Sequence, residues 1–205
     1  MRGSKALYQR RLYRMIEKQK DNSHVCPWWL CFTFDNPLRK IIHDPVKILS
    51  AYVHKGDTAI DIGPGMGYFT IPLAQLVGST GCVTAIDIQP KMLSTLISRA
   101  QQKGVSEIIK THLAGPDSIG FHDKADFILA FWMVHEVPDQ HQFLSEIRNI
   151  MKPDGMFLMV EPLIHVSKKK YLRTIETAKE LGFSIKEYPE IRMSRSVLFN
   201  CGKNG

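Results

Sequence analysis

Three glycines at every second position, Gly63, Gly65 and Gly67, follow directly on the apolar run Thr58–Ile62, and Asp61 stands two residues before the first of them. About twenty residues past the last glycine a second carboxylate, Asp87, ends another apolar run. Glycines let a backbone turn sharply and let a ligand touch the main chain. A helix starting behind them offers N–H groups that have no partner inside the helix. Further on, His135 and Glu136 follow the apolar run 125–130, and Glu161 and His165 follow the run 156–160. These four are the candidate proton acceptors, and each could instead only hold its loop in place.

The glycine spacing narrows the ligand. A dinucleotide fingerprint, G-x-G-x-x-G, would need glycine at position 68, where the chain has Tyr68. A pyrophosphate also wants N–H donors around it, and Asp61 is a carboxylate. A carboxylate there suits a cationic ligand group. S-adenosylmethionine (SAM) carries an α-ammonium and a sulfonium and no phosphate. Asp87 can accept both hydroxyls of a ribose, an arrangement that nicotinamide and SAM sites share. Ile88, next to it, is placed to pack on an adenine.

These groups need elements to hold them. Strand patterns are predicted over 58–62, 82–87, 108–113, 125–130, 156–160, 183–187 and 196–200, and helices over 67–77, 90–103, 139–151 and 167–181. Strands alternating with helices imply βαβ units, right-handed crossovers and a mostly parallel sheet. Lys152-Pro-Asp-Gly155 reads as a turn. Residues 1–20 read as a basic helix, 21–38 as an irregular aromatic segment, and 38–54 as helical. Asp44 before Pro45 reads as an N-cap followed by proline in the first helical turn. The chain thus divides into an N-terminal extension and lid, 1–54, and a SAM-binding domain, 55–205. Trp28 and Trp29 of the extension are candidates for contact with an acceptor.

Taken together the motifs resemble those of class I SAM-dependent methyltransferases. The pattern Asp61-x-Gly63-x-Gly65-x-Gly67 followed by Asp87 resembles their SAM site. Ala125-Asp-Phe-Ile-Leu-Ala130 with Val134-His135 and Val137-Pro-Asp139 resembles their fourth strand and its loop. Met151-Lys-Pro-Asp-Gly155 and Glu161-Pro162 resemble the turn before, and the end of, their fifth strand. The resemblance covers roughly 55–201 and is nearest to the small-molecule branch that includes quinone-biosynthesis and arsenite methyltransferases. Pro64 and the bulky Phe131-Trp132 depart from it. It implies an α/β fold, a Rossmann-like doubly wound sheet of seven mostly parallel strands in the order 3-2-1-4-5-7-6, the seventh antiparallel. It also implies SAM as cofactor and transfer of a methyl group to a small molecule, and the scattered cysteines fit reduced thiols in a cytoplasm. Asp117 is then placed to meet the adenine amino group, and Phe131 to face cofactor or acceptor.

Composition bounds the alternatives. The 205 residues are 44% hydrophobic and 23% charged, ordinary for a globular chain, and no apolar run approaches the ~20 residues of a membrane span. The run 25–34 is interrupted by Pro27 and has no cleavage-type site after it, so it does not read as a signal peptide. Four cysteines at 26, 31, 82 and 201 do not make a disulfide scaffold. His24, Cys26 and Cys31 lie close together but without a C-x-x-C pair, so no metal is expected. Cys26, Cys31 and Cys201 could bind a soft metalloid acceptor. Of the net charge of +7, most sits in residues 1–20, where seven Lys/Arg face only Glu17. That arm supports a second reading, a nucleic-acid methyltransferase, although the N/D-P-P-Y signature is absent. A third reading, independent of the arm, is a SAM-binding protein without catalysis. A homodimer stays open, and no membrane partner is expected.

Overall fold

The computed structural model describes residues 42–202. After a short helix α1 (Pro45–Leu49), strands and helices alternate: β1 (Thr58–Ile62), α2 (Thr70–Val77), β2 (Cys82–Asp87), α3 (Pro90–Gln102), β3 (Ile109–Leu113), β4 (Ala125–Phe131), α4 (Gln140–Ile150), β5 (Met151–Pro162), α5 (Lys168–Glu180), β6 (Phe183–Glu187) and β7 (Ser194–Cys201). The seven strands form one sheet in the order β3-β2-β1-β4-β5-β7-β6. β1 to β5 pair in parallel, and β7 runs antiparallel between β5 and β6. The fold is the α/β doubly wound sheet expected, down to the strand order.

The strands are nearly continuous apolar runs because both sheet faces are covered. The pleat sends alternate residues to opposite sides. Ile60, Ile128, Ala130, Phe157 and Phe199 pack with Leu144 and Ile147 of α4 and Ile175 of α5. Ala59, Phe127, Leu129, Leu158 and Leu198 pack with Leu73 of α2, Leu96 of α3 and Leu49. Phe127 and Phe157 are fully buried, and truncating either to alanine would cost about 3–5 kcal/mol. On α3 the buried Met92, Leu93, Leu96 and Ala100 make one stripe at helical spacing.

Caps fix the helix starts. Asp44 accepts hydrogen bonds from the amides of Val46 and Lys47, with Pro45 next to it as expected. Asp139 caps α4 through the Gln142 amide, and Ser167 caps α5 through the Lys170 amide. Two local expectations fail. Helix 67–77 begins only at Thr70, because Gly67 has φ of +88° and the amide of Gly67 closes a turn onto the Pro64 carbonyl. The expected turn Lys152–Gly155 lies inside β5. There the pairing jumps from Ala125↔Met151 to Phe127↔Met156, so the extra residues bulge out without breaking the strand.

The chain runs outward from β1 to β3 and returns to place β4 beside β1. That reversal opens a crevice at the C-terminal ends of the strands, where ligands bind in sheets of this kind. The chain enters on the same side. Ile42 and His43 line the crevice, while Leu49 and Val53 join the core beneath α2.

Candidate active site

The glycine loop forms the floor of the crevice. Gly63 and Gly65 have φ of +67° and +54°, conformations that residues with side chains rarely adopt. A Cβ on Gly63 would strike Met133 at 2.9 Å, whereas one on Gly65 would meet nothing within 4 Å. The open space over Gly65 is the cleft itself. Gly67 is set back from the wall, and its Cβ position faces Leu96 of α3 at 3.0 Å. It serves the turn and the close packing of α3.

The cleft has a volume of about 970 Å³, at the upper end for a small-molecule site and enough for a cofactor with an acceptor beside it. Asp61, Gly63, Gly65, Asp87, Ile88, Asp117, Phe131, His135, Glu136 and His165 all line it. Glu161 stands directly behind His135, its carboxylate 2.6 Å from the ring Nδ1. Trp28 and Trp29 lie outside the described residues, as do His24, Cys26 and Cys31.

Electrostatics set the cofactor half apart. Six carboxylates, Asp61, Asp87, Asp117, Glu136, Asp139 and Glu146, line the cleft, and among the described residues no lysine or arginine does. Asp61 is buried at the end of β1 and accepts a hydrogen bond from Thr70 Oγ1 at 2.6 Å. Asp87, 8% exposed at the end of β2, has its carboxyl raised from 3.8 to about 6. Burial is the main cause. The amides of Gln89, Gly65 and Ile88 offset part of it, and the charge of Glu136 adds to it.

Several wall residues carry no sequence motif. The loop 114–120 is tied down by α4: Glu146 Oε2 accepts from the Ile119 amide at 2.6 Å and from Ser118 Oγ at 3.1 Å, and Gln142 Nε2 donates to the Asp117 carbonyl at 2.8 Å. The other half of the cleft is apolar and aromatic. Phe131 stacks on Phe69 at 4.2 Å and meets His43 edge-on, and His43 meets Trp132 edge-on. Trp132 has φ of +59° and Met193 +55°, both uncommon for bulky residues. Trp132 is held there by its amide on the Val160 carbonyl and by Nε1 on Ser194 Oγ.

A family profile described as a methyltransferase domain matches residues 53–192. The chain belongs to that family. Over 144 residues it is 29% identical to a demethylmenaquinone methyltransferase of Lactobacillus johnsonii, an alignment covering 66% of this chain and 59% of the relative. Over 174 residues it is 26% identical to the ubiquinone/menaquinone biosynthesis C-methyltransferase UbiE of Francisella tularensis, covering 76% and 70%. The chain thus spans only part of the length of these relatives. In fold it is similar to a SAM-dependent methyltransferase from Aquifex aeolicus, with a TM-score of 0.76, 22% identity, and coverage of 85% of this chain and 98% of the other.

The cleft fits SAM on its own chemistry. A floor open over Gly65 admits a ligand against bare backbone, and Asp87 ends the second strand as a buried carboxylate ready for hydroxyl donors. The acidic lining favours a cation and, among the described residues, offers a phosphate no lysine or arginine.

Proposed function

We propose that the chain transfers a methyl group from SAM to a neutral, largely apolar small molecule with an unsaturated ring. The observation that carries this is the division of one cleft into an acidic half over the glycine loop and an aromatic half walled by Phe69, Phe131, Trp132 and His43. Quinone-type acceptors, named for the relatives, match the second half in size and polarity. The same acidic lining disfavours a nucleic-acid acceptor, whose phosphates would face carboxylates.

When bound, SAM supplies an electrophilic methyl on a sulfonium. The chain's own residues align and enclose. Gly63 and Gly65 hold the ligand against the main chain, Asp87 accepts the ribose hydroxyls, and Ile88 packs on the adenine near Asp117. Asp61 at the loop's base faces the ammonium. Phe131 and Trp132 stack the acceptor. Ile42 and His43 in the cleft wall are where the preceding chain arrives, which supports a lid formed by residues 21–38 with Trp28 and Trp29 on the acceptor.

Three measurements test this. Calorimetry should show SAM binding and no binding of a nicotinamide dinucleotide; the reverse result would remove the methyltransferase reading. Incubation of a cell extract with labelled SAM should label an organic-extractable small molecule. A chain deleted of residues 1–36 should stay folded, bind SAM and transfer methyl slowly, and full activity in it would remove the lid.

A further inference from the structure

We propose that His135 is the proton acceptor of this site and that Glu161 is the positioning residue that holds its ring for that task. The inference rests on the methyl-transfer reading above and deepens it. An acceptor served by such a base carries a proton that must leave, which excludes acceptors that attack as preformed thiolates or metalloid lone pairs.

The sheet brings the two together. β4 and β5 are parallel neighbours, in register at Phe131↔Val160. Glu161 is therefore the next residue on β5, and His135 lies in the single 3-10 turn, Val134–Glu136, that follows β4. Both carboxylate oxygens go to one residue: Oε1 accepts from the His135 amide at 3.2 Å, and Oε2 lies 2.6 Å from its Nδ1. Glu161 is 3% exposed and His135 14%. A carboxylate that accepts from a backbone amide is an acceptor toward the ring as well, so Nδ1 carries the hydrogen and Nε2 the lone pair. No hydrogen bond to Nε2 is made among the described residues. The turn is pinned twice more, by Lys170 Nζ on the His135 carbonyl at 3.1 Å and by Gln140 Nε2 on the Val134 carbonyl at 3.0 Å. The ring is thus fixed in tautomer and orientation with one basic edge left, on a residue of the cleft wall.

The other three candidates fit the role less well. Glu161 has both oxygens engaged. Glu136 acts electrostatically on Asp87, which places it toward the cofactor half. His165 is exposed, and its ring meets that of His135 edge-on at 6.1 Å, with no carboxylate bonded to it among the described residues. In the step itself, the acceptor's X–H bond breaks and its proton passes to Nε2. Meanwhile the bond between acceptor and methyl forms, the sulfonium–methyl bond breaks, and its electron pair leaves a neutral thioether. Glu161 stabilises the imidazolium, which returns the proton to water after product release.

Proton NMR of the full chain tests the geometry without any acceptor. The expected result is a His135 Nδ1–H resonance far downfield of the amides, lost in Glu161→Gln, with Nε2 unprotonated. An Nε2–H tautomer would overturn the proposal. With 1,4-dihydroxynaphthalene as acceptor probe, His135→Gln should lower kcat at least a hundredfold and Glu161→Gln about tenfold to a hundredfold. Acceptor KM and SAM affinity by calorimetry should stay within about threefold. Raising the pH until the probe ionises should restore much of the His135→Gln rate. Unchanged kcat in either variant also overturns it. Failure of the wild type to bind SAM or to turn over the probe would count against the methyl-transfer reading, and the NMR result would still decide the dyad.

Discussion

The two edges of the sheet treat the same side chain in opposite ways. Asp126, at the start of β4, faces the edge away from the cleft. Its Oδ2 accepts from Lys152 Nζ at 2.7 Å and from the Thr58 amide at 2.9 Å. Burial works against its charge, but those hydrogen bonds and the lysine's charge together hold the carboxyl below its usual range. Asp87, at the opposite end of β2, two strands away, is more deeply buried, has no lysine or arginine in the cleft around it among the described residues, and is raised to about 6. One carboxylate is satisfied by the protein. The other is met by backbone amides and, among the described residues, by no cation. A chain that spends stability on an unpaired buried charge at one edge, while pairing it at the other, marks the first as the binding edge.

The comparison breaks most sharply at the glycine floor. Gly65→Val places a branched side chain in the open cleft at φ of +54°, which costs the fold about 1–2 kcal/mol. SAM affinity should fall more than about a hundredfold, some 3 kcal/mol or more, in a chain that stays folded by circular dichroism. A folded variant that binds SAM normally would show that the loop is only a turn.

Asp87→Asn separates binding from stability. It removes an acceptor for the ribose hydroxyls, so SAM affinity by calorimetry should drop about tenfold. Its effect on the free chain runs the other way. With the folded carboxyl at about 6 and the ordinary value at 3.8, the native state holds its proton more tightly. Stability from this group is therefore fully present below about 4 and declines as the pH rises through about 6, a cost on the order of 3 kcal/mol by pH 7. The asparagine variant should melt higher than the wild type at pH 7 and lose that advantage by pH 4. A lower melting temperature at pH 7 would mean that Asp87 is paired.

Glu146→Ala probes the adenine side. It frees the Ile119 amide and Ser118 Oγ and loosens the loop 114–120 from α4. SAM and its demethylated product should both bind about three- to tenfold more weakly, since the loop meets the part they share. A loss confined to SAM would place Glu146 near the sulfonium instead.

How much of this could be read in the sequence follows from which interactions are local. The strands were legible because a sheet covered on both faces needs runs such as Ala125–Phe131 with almost no polar residue. The glycine loop and Asp87 were legible because their spacing is set by one βαβ unit. Gln142 and Glu146 were not, because on a helix with an apolar stripe they look like its solvent face. His43 was not, since its ring bonds the Arg192 carbonyl 149 residues away. Met193 and Trp132 enter the cleft wall through backbone conformations that no residue type announces. Lys152–Gly155 misled because proline and glycine punctuate a bulge as readily as a turn. His135 and Glu161 were each visible as candidates at one edge, but their pairing depends on the register of β4 against β5.

The smallest effect is expected at the paired edge, and it is the control for the others. Asp126→Ala removes the partner of Lys152 and an acceptor for the Thr58 amide. Both ion-pair side chains are more than a third exposed, so solvent screens the pair and its share is below about 1 kcal/mol. The freed amide sits at the sheet edge and adds a similar amount. Denaturant unfolding should register a total loss of about 1–2 kcal/mol. A carboxyl held below its ordinary 3.8 contributes above that value, so the gap between variant and wild type should be level from pH 5 to 8 and narrow as the pH falls below 3.8. SAM affinity should stay within about twofold, because nothing at this edge reaches the cleft. If Asp126→Ala weakened SAM binding as much as Asp87→Asn does, the two edges would be coupled through the strands, and the division of labour between them would have to be given up.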